Sequence, residues 1–308
     1  MRRRSRALDY ALYVLVRIVV CIVQALSWDR ALQFAGLLGW LMHRFNRRHR
    51  LVALENLRRA FPELTDAARD ELVRRCYHHF ALMIIELMRL PRALHRETLS
   101  KHIDFATDGQ RDHALQLLHG EEPYIVLTGH FGNWEIMSQA LGLLGGYGGV
   151  VTRRLDNPYL DRLVRGFRRR SGLVMLDKTG DARRIVRFLA EGSGLGVVGD
   201  QDAGPRGLFV DFFGRPASTF KAIAQLSLEH QARIAVMATA RVGNPMRYRL
   251  YLEDVIDPRD YAGNPQAARA ITERFTRALE RMIRRHPEQY LWLHRRWKHQ
   301  PAEQRQAA

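Results

Sequence analysis

Tyr124–Glu135 reads YIVLTGHFGNWE, an apolar, β-branched run that stops at Thr128-Gly129 and then turns polar. Tyr124 to Leu127 has the composition of a buried strand, and Asn133 to Leu144 reads as a helix. His130 therefore falls where a strand gives way to a helix. In open α/β sheets ligands bind outside the carboxyl ends of strands, so the placement marks His130 as a candidate functional residue.

His130 and Glu135 are five residues apart, about 500° of rotation on a continuous helix, which would put them on different faces. They can face each other only if His130 lies in the turn before the helix, which Gly129 and Gly132 permit. A carboxylate there would fix the imidazole tautomer and leave the other ring nitrogen to take a proton. With 13 His and 32 acids in 308 residues, chance supplies about one pair at this spacing. The claim must rest on where the pair sits.

The chain is long enough for a full core, and its 46% hydrophobic content excludes a disordered class. The formal charge of +17 is concentrated at the ends. Residues 1–60 hold twelve arginines against three acids, net +9, and residues 265–308 are net +6. The stretch between is nearly neutral. Such ends suit an anionic surface, a phosphorylated substrate or an acidic protein partner. Nucleic acid is not expected, because zinc-finger spacing, an RNP-like aromatic signature and a basic recognition helix are all missing. Cys21 and Cys76 form no CxxC, so neither a disulfide framework nor a zinc site is expected.

Two apolar stretches open the chain. Ala11–Leu26 is interrupted by Arg17 and Gln24, and Ala31–Phe45 runs into Arg47-Arg48-His49-Arg50. The first is marginal for a span and the second falls short of the roughly 20 residues required. Basic residues flank both ends of the pair, which favours an anchor that enters the membrane without carrying the main domain across. Arg17 argues the same way, since a central arginine costs about 2.5–3.5 kcal/mol on insertion scales. Residues 1–50 are thus read as a helical membrane anchor, 51–300 as an α/β domain with a helical lead-in and 301–308 as a polar tail.

Helices are expected through Leu51–Leu90, broken at Phe61-Pro62 and restarted at Thr65. His78 and His79 diverge by about 100° on a helix and do not read as metal ligands. Glu86, among Met83, Ile84, Ile85, Leu87 and Met88, needs a partner. After Tyr124 the pattern alternates: strands at Val150–Arg153, Leu173–Leu176, Leu195–Gly199, Ile234–Ala240 and Tyr248–Leu252, with helices at Pro158–Arg170, Asp181–Ala190 and Lys221–His230. Phe209–Phe213 pairs locally, and Asn264-Pro265 caps a helix reaching Arg285. The fold class is α/β, a mixed sheet flanked by helices.

Gly194–Gly199 matches GxGxxG, but a helix precedes it and a strand-like run leads out of it, the reverse of a dinucleotide fingerprint. Three other clusters close predicted strands or neighbour them: Arg153-Arg154, Asp200-Gln201-Asp202 and Arg215 with Ser218 and Thr219. Asn133, Arg153, Asp200, Asp202 and Arg215 are the expected substrate-binding residues. No metal or other cofactor is expected.

GHFGNWE, the Arg-x-x-x-Asn-Pro of Arg153–Pro158, Asp200-Gln201-Asp202, FVDFFGRPAST, EQYLWLHRRWK and NLRRAFPEL at Asn56–Leu64 together resemble the lipid A biosynthesis late acyltransferases, the lauroyl and myristoyl acyltransferase family, over about residues 35–300. The resemblance implies a glycerolipid-acyltransferase-like fold and an inner-membrane enzyme with its site facing the cytoplasm. It would move an acyl chain from acyl carrier protein to a hydroxyl of a Kdo-bearing lipid A precursor. His130 would be the general base, Glu135 its orienting carboxylate and Arg153 a charge-binding residue. Two other readings stand beside it: acylation of another membrane glycolipid such as a phosphatidylinositol mannoside, and a non-catalytic basic protein that binds membrane or nucleic acid.

Overall fold

A computed structural model describes residues 5–146 and 148–301. Four helices lead in: α1 (Arg6–Ala25), α2 (Trp28–Phe45), α3 (Arg47–Ala60) and α4 (Asp66–Ala93). The break at Phe61-Pro62 falls as the sequence predicts, and the Thr65 hydroxyl accepts from Ala68 N to cap α4. Ala31, Ala35 and Gly39 form the buried stripe of α2 against α4. A Cβ on Gly39 would sit 2.8 Å from the His78 Cα, so the two backbones approach as closely as glycine allows.

The α/β part follows as α5 (Leu99–His102), β1 (Ile103–Phe105), α6 (Asp108–His119), β2 (Tyr124–Thr128), α7 (Trp134–Leu143), β3 (Gly148–Thr152), α8 (Pro158–Arg169), β4 (Val174–Asp177), α9 (Ala182–Ala190) and β5 (Gly194–Val198). Then come β6 (Leu208–Phe212), β7 (Arg215–Thr219), α10 (Ala222–His230), β8 (Arg233–Gly243), β9 (Arg247–Ile256) and α11 (Ala267–Arg285). Seven strands form one mixed sheet in the order β1-β9-β8-β2-β5-β3-β4, antiparallel only between β8 and β9. Central β2 is buried at all five residues, as its β-branched run requires. β6 and β7 form a separate antiparallel hairpin.

One expectation needs correction. Asn264 does not cap α11: its side chain accepts from Gln266 N in a preceding turn, and the helix begins at Ala267. The GxGxxG match runs along the expected strand: Gly194 and Gly196 lie in β5, and Gly199 just beyond its end. A Cβ on Gly194 would meet the Tyr124 ring at 2.2 Å, so this glycine admits a neighbouring aromatic, with no phosphate turn involved.

Register positions the site. β2 and β5 are parallel neighbours with Thr128 opposite Val198. Two residues beyond each strand end, His130 and Asp200 therefore emerge side by side.

Candidate active site

The His130 backbone N–H donates to Asp200 Oδ2 at 2.8 Å, and its ring Nδ1 lies 2.8 Å from Asp200 Oδ1. A carboxylate only accepts, so Nδ1 carries the hydrogen and Nε2 is the nitrogen left for chemistry. Burial by itself would raise the Asp200 pKa, but the charge and hydrogen bonds of His130 hold it down at about 2. Burial would lower the His130 pKa, and the Asp200 carboxylate outweighs it, with Glu135 adding to the same side, so His130 titrates above its ordinary value.

Glu135 does not hold the imidazole. Its carboxylate is taken by Arg168 of α8 in a fork of two contacts, Nε to Oε2 at 2.9 Å and Nη2 to Oε1. Glu135 sits in the first turn of α7, and from there its side chain reaches α8 while the strand-end Asp200 occupies Nδ1. Arg168 escaped the sequence reading because a helical arginine among Arg162, Arg165, Arg169 and Arg170 looks like solvated surface.

The turn carrying His130 is clamped on every side. The His130 carbonyl accepts from Leu291 N, Gly132 N donates to Gln289 O, and Phe131 bridges Tyr290. Gly132 has φ +57°, and a Cβ there would lie 1.6 Å from the Thr239 carbonyl oxygen, so no other residue fits. The Gly132 carbonyl accepts from His79 Nε2 at 3.0 Å. Burial pushes the His79 pKa down to about 3, leaving a neutral donor.

Asn133, expected to bind substrate, is buried and structural. Its Oδ1 caps α7 at Ile136 N and its Nδ2 donates to the Tyr248 hydroxyl. That hydroxyl belongs to a buried network in which Glu86 takes Arg241, Tyr248 and Met246 N, the partner its apolar context demanded.

A cavity of about 630 Å³ opens beside His130. Its polar end holds His130, Glu135, Arg153, Arg168, Lys178 and Gln201, and its depth is apolar, with Val126, Met137, Leu141, Leu173, Leu195 and Leu226 among its walls. Arg153 is 82% exposed at the mouth, 3.6 Å from Asp156, whereas Arg154 is engaged by Asp177 at 2.6 Å. The other expected binding residues are elsewhere. Asp202 is outside the cavity lining: its N–H donates to His294 Nε2, and its Oδ2 meets His299 Nδ1 at 2.7 Å. Burial lowers the His294 pKa to about 4, consistent with a neutral ring that accepts. Arg215 is exposed beside the turn of the β6–β7 hairpin, also outside the cavity. Both motifs sit next to site residues in sequence, but chain direction carries Asp202 under the carboxy-terminal segment and Arg215 to the far end of its hairpin.

An apolar pocket ending in an activated histidine and a row of cations can seat a hydrocarbon chain with a reactive carbonyl at its polar end. A family model described as bacterial lipid A biosynthesis acyltransferase matches residues 1–299. The chain belongs to this family. Its lipid A acyltransferase relatives include the lauroyltransferase of Escherichia coli strain K12, 27% identical over 271 residues, which cover 86% of this chain and 84% of the relative. The palmitoleoyltransferase of the same strain is 26% identical over 271 residues (86% and 83%), and the myristoyltransferase is 24% identical over 261 residues (83% and 77%). These lipid A acyltransferases are named for different acyl chains, so family membership does not fix the chain length.

Proposed function

We propose that this lipid A acyltransferase takes its acyl chain as a thioester of acyl carrier protein and esterifies a hydroxyl of a Kdo-bearing lipid A precursor at the cytoplasmic face of the inner membrane. In this reading the fold is glycerolipid-acyltransferase-like. The observation that carries the mechanism is the His130–Asp200 pair at the polar end of the apolar cavity.

In this mechanism the acyl chain lies in the cavity with its thioester carbonyl beside His130. Nε2 removes the proton of the acceptor hydroxyl as its oxygen attacks the carbonyl carbon. Asp200 stabilises the imidazolium that forms. As the tetrahedral intermediate collapses, the carbon–sulfur bond breaks and the imidazolium returns its proton to the departing thiolate. The Gly132 N–H, next to the His130 turn, is committed to Gln289 O. Arg153, Arg168 and Lys178 are the cavity-lining cations left to meet the oxyanion or a substrate phosphate. Arg168 thus doubles as the partner that keeps Glu135 beside the imidazole without bonding it.

The test is transfer from labelled acyl carrier protein to a Kdo-bearing lipid A precursor, run beside a phosphatidylinositol mannoside. Transfer to the lipid A precursor, lost by about 10²–10⁴-fold in His130→Ala at unchanged thermal stability, supports the proposal. Near-normal transfer by that variant overturns the mechanism, and preference for the mannoside overturns the acceptor.

A further inference from the structure

Helix α1 is the described helix long and apolar enough to cross a membrane. Both of its ends, however, are fastened to the catalytic domain. Near the amino terminus Asp9 is buried, and its carbonyl accepts from Asn157 Nδ2 at 2.8 Å. Asn157 is itself buried and caps α8, the helix that carries Arg168. Tyr10 and Tyr13 pack on Tyr159 in the first turn of α8, with ring centroids 5.3 and 5.9 Å away. At the other end Val23 is buried, Gln24 Nε2 donates to Met88 O at 2.7 Å, and Arg89 of α4 donates to Val23 O and Leu26 O. Asp9 and Val23 are about 21 Å apart along the helix axis. A helix pinned to one folded domain at both points cannot put its ends in opposite leaflets.

The outward face of α1 is nevertheless apolar: Leu8, Leu12, Leu15, Ile18 and Ile22 are all exposed. On α2, Phe34, Leu37, Trp40 and Phe45 are exposed as well. Contiguous apolar surface of this kind on a soluble face marks an interaction site. Arginine surrounds it. Exposed Arg17 lies about 100° around the helix from Ile18 and about 20° from exposed Tyr10, at the edge of the exposed face. Arg6, Arg30, Arg44, Arg47 and Arg48 are exposed at helix ends. Arg17, which spoils a membrane span, suits a helix lying in the headgroup plane, where its stem runs along apolar surface and its guanidinium reaches phosphates.

We infer that α1 and α2 form an in-plane seat on an anionic lipid leaflet, with α1 parallel to the bilayer surface and both of its ends on the same side. Through Asn157 and Tyr159 the seat holds the start of α8, so the Arg153–Arg168 mouth of the cavity faces the lipid from which an acceptor would enter. The identity of that acceptor rests on the proposed function, but the seat does not.

The experiment places single spin labels at Leu8→Cys, Leu15→Cys and Ile22→Cys in the full chain with Cys21→Ser, Cys76 being buried. Depth is measured on phosphatidylglycerol–phosphatidylcholine vesicles by oxygen and nickel-chelate accessibility. The expected result is one common depth, about 5–10 Å below the phosphates, with vesicle binding weakened at least tenfold in phosphatidylcholine alone. A profile in which Leu15 lies near the bilayer centre, about 15 Å deep, and Leu8 and Ile22 near opposite surfaces overturns the inference. So does a lack of lipid contact with label–label broadening, which would make the face a contact between two copies. Seating without acyl transfer counts against the proposed function alone, and transfer by a spanning protein against this inference alone.

Discussion

Two glutamate–arginine pairs flank the His130 turn, and they are built differently. Behind it, Glu86 is 1% exposed and takes two guanidinium contacts from Arg241, the Tyr248 hydroxyl and Met246 N. In front, Glu135 is 15% exposed, lines the cavity, and among the described residues is bonded to Arg168 alone, which stands on a helix with no buried residue. The rear carboxylate is filled and dry, with only Arg241 Nε beside it left without a bond, so it holds Asn133 and the turn in place. The front pair keeps unused acceptor and donor capacity facing the pocket. A buried charge with every bond filled does structural work, and one with bonds to spare at a cavity mouth is free to meet substrate.

Exchanging the two pairs' fates tests that contrast most severely. Glu86→Ala strands the Arg241 guanidinium and is expected to cost roughly 3–5 kcal/mol of stability, read as a lowered midpoint in denaturant unfolding. Glu135→Gln is expected to move stability by no more than about 1 kcal/mol. It should nevertheless cut acyl transfer about a hundredfold, through the loss of a charge placed to order Arg168 beside the reacting groups. A destabilised Glu135→Gln or a stable Glu86→Ala would erase the distinction. A gentler probe enters the pocket between them. Gly196 lines the cavity, and a Cβ there would lie 3.3 Å from Val150 Cγ2. Gly196→Ala should shift the preferred acyl chain to a shorter one, at about 0.8 kcal/mol for each methylene excluded. Competition between acyl donors of graded length measures it, and an unchanged optimum would mean that the chain lies elsewhere.

The sheet was legible because β2, β3, β5 and β8 announce themselves by β-branched residues with a glycine at one end or both. The short β1 was missed because a three-residue strand carries no period. Within the site, His130 was legible as a strand-end histidine. Its partner was not, because a choice between Glu135 and Asp200 depends on strand register, and the pairing of Thr128 with Val198 leaves no trace in local sequence. Proximity in sequence favoured Glu135, whereas proximity across parallel strands selected Asp200. His79, which does not read as a metal ligand from its spacing, donates to the backbone of the His130 turn. The carboxy-terminal EQYLWLHRRWK was recognisable as a motif. Only the fold shows why it is needed, since Gln289 and Leu291 bond the backbone on either side of Phe131.

The central claim is that Asp200, and not Glu135, holds the catalytic imidazole. Histidine-ring NMR titration tests it directly, with His130 assigned by the signal lost in His130→Gln. Asp200 supplies both the charge and the hydrogen bond that raise the His130 pKa, and Glu135 supplies charge alone. In the unmodified protein the midpoint should lie above about 6.5, with acyl transfer falling as pH drops through it because the base becomes protonated. Asp200→Asn should lower that midpoint further than Glu135→Gln does. A larger fall in Glu135→Gln, or an unmoved midpoint in Asp200→Asn, would contradict the account.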